Sequence, residues 1–220
     1  MIGREFPLGL VGRLFSTSDD ELNRMLSDLQ LAEFIYEQPA TGDIEYIFKH
    51  ALTQAVAYNS VLAERRKILH ERTGEAIEAL YAEHIEDRLD GLAQHFSRSA
   101  NVAKAVNYLH LAARQCASRT AYFQALTYLK RALDLLQTLP DTDERARQEL
   151  TLQLARGDSL YVTEGFGADE GGRIFRRARE LCVRLGDRSQ LLPPYWDCGC
   201  SIASNLSCRP PANWKSSLYR

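Results

Sequence analysis

With 220 residues, 45% hydrophobic and 25% charged side chains and a net charge of −2, the chain has room for one or two ordinary globular domains. The near-neutral balance gives no electrostatic ground for binding nucleic acid or an anionic membrane surface, and no apolar run approaches the roughly 20 residues of a membrane span. The opening residues lack the basic and apolar regions of a signal peptide, and the five cysteines have no framework spacing, so a reducing, cytoplasmic compartment is expected.

In chain order, Leu10, Val11, Leu14 and Phe15 recur at helical spacing. The first element, residues 5–15, is therefore expected to be helical, with Pro7 in its first turn, where a missing N–H removes no bond. Ser18 ahead of Asp19, Asp20 and Glu21 brings a capping oxygen and acidic first-turn residues to a second helix. Leu22, Met25, Leu26 and Leu29 form its apolar stripe. Residues 34–38 and 44–48 are aromatic and β-branched and flank the turn Pro39-Ala40-Thr41-Gly42-Asp43, which predicts a hairpin. Helix, helix, hairpin, helix is a winged-helix order.

From Ala51 the period is helical, with Leu52, Ala55, Val56, Asn59 and Leu62, then Leu69, Thr73, Ile77 and Leu80, on one face. One unbroken helix would be long for a globular domain. A break is expected near Asn59-Ser60, whose side chains compete for backbone hydrogen bonds. The mixed charges of Glu64-Arg65-Arg66-Lys67, followed by Glu71 and Arg72, make an ion-paired, solvated face.

Short helices follow. Leu89, Leu92, Ala93 and Phe96 form one face, and a polar turn spans residues 97–101. Ala105, Val106, Leu109, Ala112 and Ala113 form the next face. Ala125, Leu126, Leu129, Ala132, Leu133 and Leu136 form another, stopped at Leu139-Pro140. Small residues at Ala93, Ala105, Ala112, Ala125 and Ala132 permit close helix approach, and the large residues between them fill grooves. This alternation looks like tetratricopeptide repeats, best in residues 122–135, although Ala105 and Ala125 lie closer than the roughly 34-residue period of that motif. A further helix is expected over 144–162, broken at Gly165-Phe166-Gly167. The next, with Ile174, Phe175, Ala178, Leu181, Cys182 and Leu185, is capped by Gly186.

The tail from Pro193 has no periodicity. A two-nucleotide shift of reading frame after Pro193 would turn Tyr195-Trp196-Asp197-Cys198 into Leu-Gly-Leu followed by Trp or Arg. The tail is therefore expected to be an out-of-frame translation of a truncated chain, an expectation that the genomic DNA tests directly.

Taken together, Ile2-Gly3-Arg4-Glu5-Phe6, residues 48–58 (Phe48-Lys49-His50-Ala51-Leu52-Thr53-Gln54, Val56-Ala57-Tyr58), Arg65-Arg66-Lys67 with His70, and the helices from Tyr108 to Asp141 resemble one family. They look like the segment downstream of the ATPase core in large bacterial signalling ATPases, the predicted ATPases and adenylate/guanylate cyclase-like proteins. The resemblance covers about residues 1–192. In that architecture a class III cyclase or other effector domain precedes a P-loop ATPase, a winged helix and tetratricopeptide repeats, so Met1 falls where such proteins continue upstream. The resemblance also implies that His50 sits where related ATPases carry a histidine that senses the diphosphate of bound ADP. An imidazole at a helix start can donate to phosphate oxygens. The competing reading of His50 is a histidine that caps or packs at a strand-to-helix junction.

No G-x-x-x-x-G-K-[ST] phosphate loop occurs, and Gly165, Gly167, Gly171 and Gly172 have no following lysine. No catalytic residue is assigned. Cys198, Cys200 and Cys208 lack a fourth metal ligand, so no metal is assigned. His70, His84, His95 and His110 have no ligand-pair spacing and read as surface or packed side chains.

The expected architecture is mostly α: a winged-helix-like domain with one β-hairpin and a connecting helix (1–82), TPR-like helical hairpins (83–192) and an irregular tail (193–220). The expected role is a non-catalytic regulatory and protein-interaction fragment. Its helical repeats would bind protein or peptide partners, and the upstream ATPase domain would be a further partner. It holds no cofactor itself, ATP/ADP and Mg belonging to the full-length parent. One alternative is a winged-helix transcriptional regulator, against which residues 19–29 are acidic with Arg24 their only basic side chain. The other assigns the parent's ATPase or cyclase activity to this chain, against which the phosphate loop is missing.

Overall fold

The computed structural model describes residues 3–15, 18–39, 44–165 and 169–186, which are mostly helical with one small antiparallel sheet. The chain divides into two compact units, residues 1–108 and 109–220. The expected hairpin tip at residues 40–43, the glycine break beyond Gly165 and the irregular tail with its three cysteines lie outside the described residues.

The first unit begins with β1 (Glu5–Pro7) and α1 (Leu8–Leu14). This corrects the reading of residues 5–15 as one helical element. Phe6 is buried and faces Tyr46 across the sheet, their rings stacked at 5.9 Å. Pro7, extended at φ −75° and ψ 144°, is the helix N-cap rather than a residue of its first turn. The helix α2 (Asp19–Leu31) starts as the sequence indicates, with the Ser18 side chain accepting from the Glu21 N–H at 3.4 Å. Its stripe is narrower than expected: Leu22 and Leu26 are buried, whereas Met25 and Leu29 are exposed.

The hairpin strands are β2 (Ile35–Pro39) and β3 (Ile44–Phe48). The three strands are antiparallel in the order β1-β3-β2. Phe6, Val11, Leu22, Leu26, Ile35 and Tyr46 close a core between the sheet and the first two helices.

The expected break is present. The helices α3 (Ala51–Ser60) and α4 (Ala63–Leu80) are separated at Val61 and Leu62, and the Ser60 hydroxyl donates to the Ala57 carbonyl at 2.8 Å. The single apolar face read across this region does not hold. Thr73 and Ile77 are buried in α4, but Leu52, Val56 and Leu62 are 75%, 61% and 79% exposed. A 3-10 segment, Ala82–Arg88, kinks at His84 and leads into α5 (Leu89–Phe96), whose Leu89, Leu92, Ala93 and Phe96 are all buried. Next comes α6 (Val102–Ser118), in which the division between the two units falls.

In the second unit α7 (Tyr122–Leu136), α8 (Asp143–Glu164) and α9 (Asp169–Leu185) pack consecutively as helical hairpins. Ala146, Leu150, Ala178, Leu181 and Cys182 form the core between α8 and α9. Gly165 and Gly186 follow the two helices at φ 79° and 67°, where a side chain would be strained. Arg177 grips the buried Glu149 with two hydrogen bonds of 2.7 and 3.1 Å. Arg177→Ala would strand that carboxylate in a largely dry site. Because Arg177 is itself partly exposed, the expected loss is about 1–2 kcal/mol of the second unit's stability, measurable by urea unfolding.

Among the described residues, no helix is long and apolar enough to cross a membrane.

Candidate functional site

His50 is the N-cap residue of α3, extended at φ −127° and ψ 131°, exposed, with no hydrogen bond from its side chain to the helix end. Its carbonyl accepts from Gln54 N–H at 3.3 Å. The imidazole therefore stands at the strand-to-helix junction without acting as the cap.

A more organised group lies where α3, α4 and α5 come together. His70 and His95 are 2% and 6% exposed. Their rings lie 5.2 Å apart, with the two Nδ1 atoms 3.1 Å from each other. The Tyr58 hydroxyl lies 3.1 Å from His70 Nε2, and the Arg66 guanidinium covers the Tyr58 ring at 5.0 Å. The three side chains form a hydrogen-bonded chain, with one proton held between the two Nδ1 atoms. Burial holds both imidazoles down to about 4. The nearby Arg98 charge adds to this for His70, and His70 itself adds to it for His95.

These side chains line a cavity of about 310 Å³ together with Gln54, Asn59, Gln94 and Arg98. The sequence separates His70 from His95 by a turn, a 3-10 segment and parts of two helices; the packing of α4 on α5 unites them. His84 is exposed, and His110 lies apart on α6. Of the two readings open to these histidines, surface or packed, His70 and His95 take the packed one. His70 is one and two turns from Thr73 and Ile77, and His95 is one turn from Leu92, all on buried faces.

A second polar knot joins α4 to α6. The Glu78 carboxylate receives the Tyr108 hydroxyl at 2.5 Å and the Lys104 ammonium at 2.6 Å. Burial, then this hydrogen bond, pushes the Tyr108 phenol well above its ordinary range. Tyr108 stacks on Phe96 at 5.3 Å with only 8° between the rings.

Among the described residues no group of three or more His, Cys, Asp or Glu side chains is arranged to hold a metal ion.

No family model matches the chain, and no solved structure does. Over 157 residues, 70% of its length, the chain is 31% identical to an uncharacterized protein of Rhizobium meliloti (strain 1021). It spans 15% of the length of that relative.

Proposed function

We propose that the chain is a non-catalytic regulatory and protein-interaction segment of a larger bacterial signalling ATPase or class III nucleotide cyclase-like protein. The observation that carries this reading is the order of elements: a three-stranded unit with two helices and a hairpin, then helices packed as consecutive hairpins. That order supports a winged-helix-like domain followed by a TPR-like array, in which each hairpin buries one face on its neighbours and leaves another for partners. The exposed apolar side chains Phe123 on α7, Val162 on α8 and Val183 on α9 suit a protein or peptide partner. A match to a small part of a much longer protein supports a segment that works beside other domains.

On this reading ATP, ADP and Mg would be bound by those other domains, with an upstream ATPase domain as a partner, in keeping with the lack of a phosphate-loop sequence in this chain. In the winged-helix reading α2 would face DNA, and its Asp19, Asp20, Glu21 and Asp28 would meet phosphates of like charge.

Purified alone, the chain is expected to turn over ATP no faster than buffer and to retain no ADP. ATP hydrolysis by the isolated chain overturns the assignment. His50 is the candidate nucleotide-state sensor, through donation from its exposed imidazole to the diphosphate of ADP held by the ATPase core. In the full-length protein His50→Ala should speed ADP release by about tenfold, the scale of one lost charge-assisted hydrogen bond. Unchanged release would remove His50 from the mechanism.

A further inference from the structure

From the cavity between α3, α4 and α5 we infer that the first unit carries a binding pocket for a small oxyanion, a phosphate or a carboxylate, with Arg98 as its charged anchor.

Four observations on this cavity point the same way. First, among the described residues its lining contains no Asp, Glu or Cys, and the charged side chain in it is Arg98. Second, Arg98 stands exposed at the cavity mouth and forms no ion pair among the described residues, and its backbone N–H donates to the His95 carbonyl at 3.0 Å at the end of α5. Third, the lining includes the carboxamides of Gln54, Asn59 and Gln94 and the Tyr58 hydroxyl, side chains that carry N–H or O–H donors. Fourth, the field at His70 is positive, since Arg98 and Arg66 both disfavour its protonated form. A cavity of about 310 Å³ holds a phosphate or carboxylate with part of an attached group.

Cation binding fits the same residues poorly. Two imidazoles with no carboxylate or thiolate beside them, under an arginine charge, give a divalent ion too few anionic ligands. An oxyanion instead offsets the arginine charge and accepts from the carboxamides. It also relieves the positive field at the histidine pair, so its binding draws a proton onto the pair. Facing that pair are Tyr58 from α3, Arg66 from α4 and Arg98 beyond α5.

The test uses the whole chain and reads the imidazole ¹⁵N and side-chain ¹H shifts of His70 and His95. Inorganic phosphate, acetate and chloride are titrated at constant ionic strength. The expected result is a saturable shift with phosphate or with acetate and none with chloride. Saturation by phosphate alone identifies a phosphoryl group as the ligand, and by acetate alone a carboxylate. Arg98→Ala should weaken binding by about tenfold or more, while Arg98→Lys keeps it within several-fold. Arg119→Ala, at an exposed position on another loop, should leave it unchanged. Absence of saturation with both oxyanions, or equal affinity in wild type and Arg98→Ala, overturns the inference. So does a saturable response to Zn²⁺ with none to either oxyanion.

Discussion

Between pH 7 and pH 5 the first unit should lose about 2–4 kcal/mol of stability, and His70→Gln with His95→Gln should flatten most of that dependence. Both imidazoles are held near 4 in the folded chain, against an ordinary value of about 6.5 in the unfolded one. Below 6.5 the unfolded chain therefore takes up protons that the folded chain refuses. Stability is complete above pH 6.5 and drains away as pH falls toward 4. At pH 5 this amounts to about 2 kcal/mol for each histidine, and the two share one hydrogen bond, which sets the range. Geometry explains the refusal. With Nδ1 atoms 3.1 Å apart, one proton fits between the rings and two repel. His110 is shifted in the same direction by burial, so the paired variants are needed to isolate the cluster. Urea unfolding followed at each pH measures the slope. A wild-type chain as stable at pH 5 as at pH 7 contradicts the buried pair.

Phe96→Ala should cost about 3–5 kcal/mol, the range for emptying a fully buried aromatic site. Its ring is confined on several sides. Tyr108 stacks on it, the Lys104 ammonium lies 5.0 Å from its centre, and Gly74 of α4 passes directly against its edge. A Cβ at position 74 would stand 2.7 Å from the Phe96 Cζ, closer than real contacts allow. Gly74→Ala has two opposed effects. Alanine in a helix interior gains about 1 kcal/mol over glycine, while overpacking a confined core costs about 1–3 kcal/mol. Because the ring is confined, the clash outweighs the helix gain, with an expected net loss of up to about 2 kcal/mol. In the Phe96→Ala background the clash is gone, so the same substitution should become neutral or stabilising. A double-mutant cycle in urea measures that coupling. Additive losses would mean that the two residues do not meet.

The elements that carry local signals could be read from the sequence alone. Ser18 with its acidic neighbours marks the start of α2. The turn between two β-rich runs marks the hairpin, and Asn59-Ser60 marks the break before α4. Leu89, Leu92, Ala93 and Phe96, read as one face, are all buried. What escaped is tertiary. Three residues of β1 are too few to show a period, and their strand state comes from pairing with β3, forty residues away. Apolar spacing in α3 shows that Leu52 and Val56 align but not that anything covers them, and both are exposed. The candidate cavity is also a product of packing. His70 and His95 carry no shared motif, and only the meeting of α4 with α5 makes them one group. His50, singled out by resemblance, stands outside that group.

The most direct measurement is ATP hydrolysis by the long Rhizobium meliloti relative, intact and with the region matching this chain deleted. A regulatory segment predicts that the intact protein hydrolyses ATP, and that deletion changes the rate at least severalfold without abolishing nucleotide binding. An intact protein that neither binds nor hydrolyses ATP, or a deletion that leaves the rate unchanged, would contradict it.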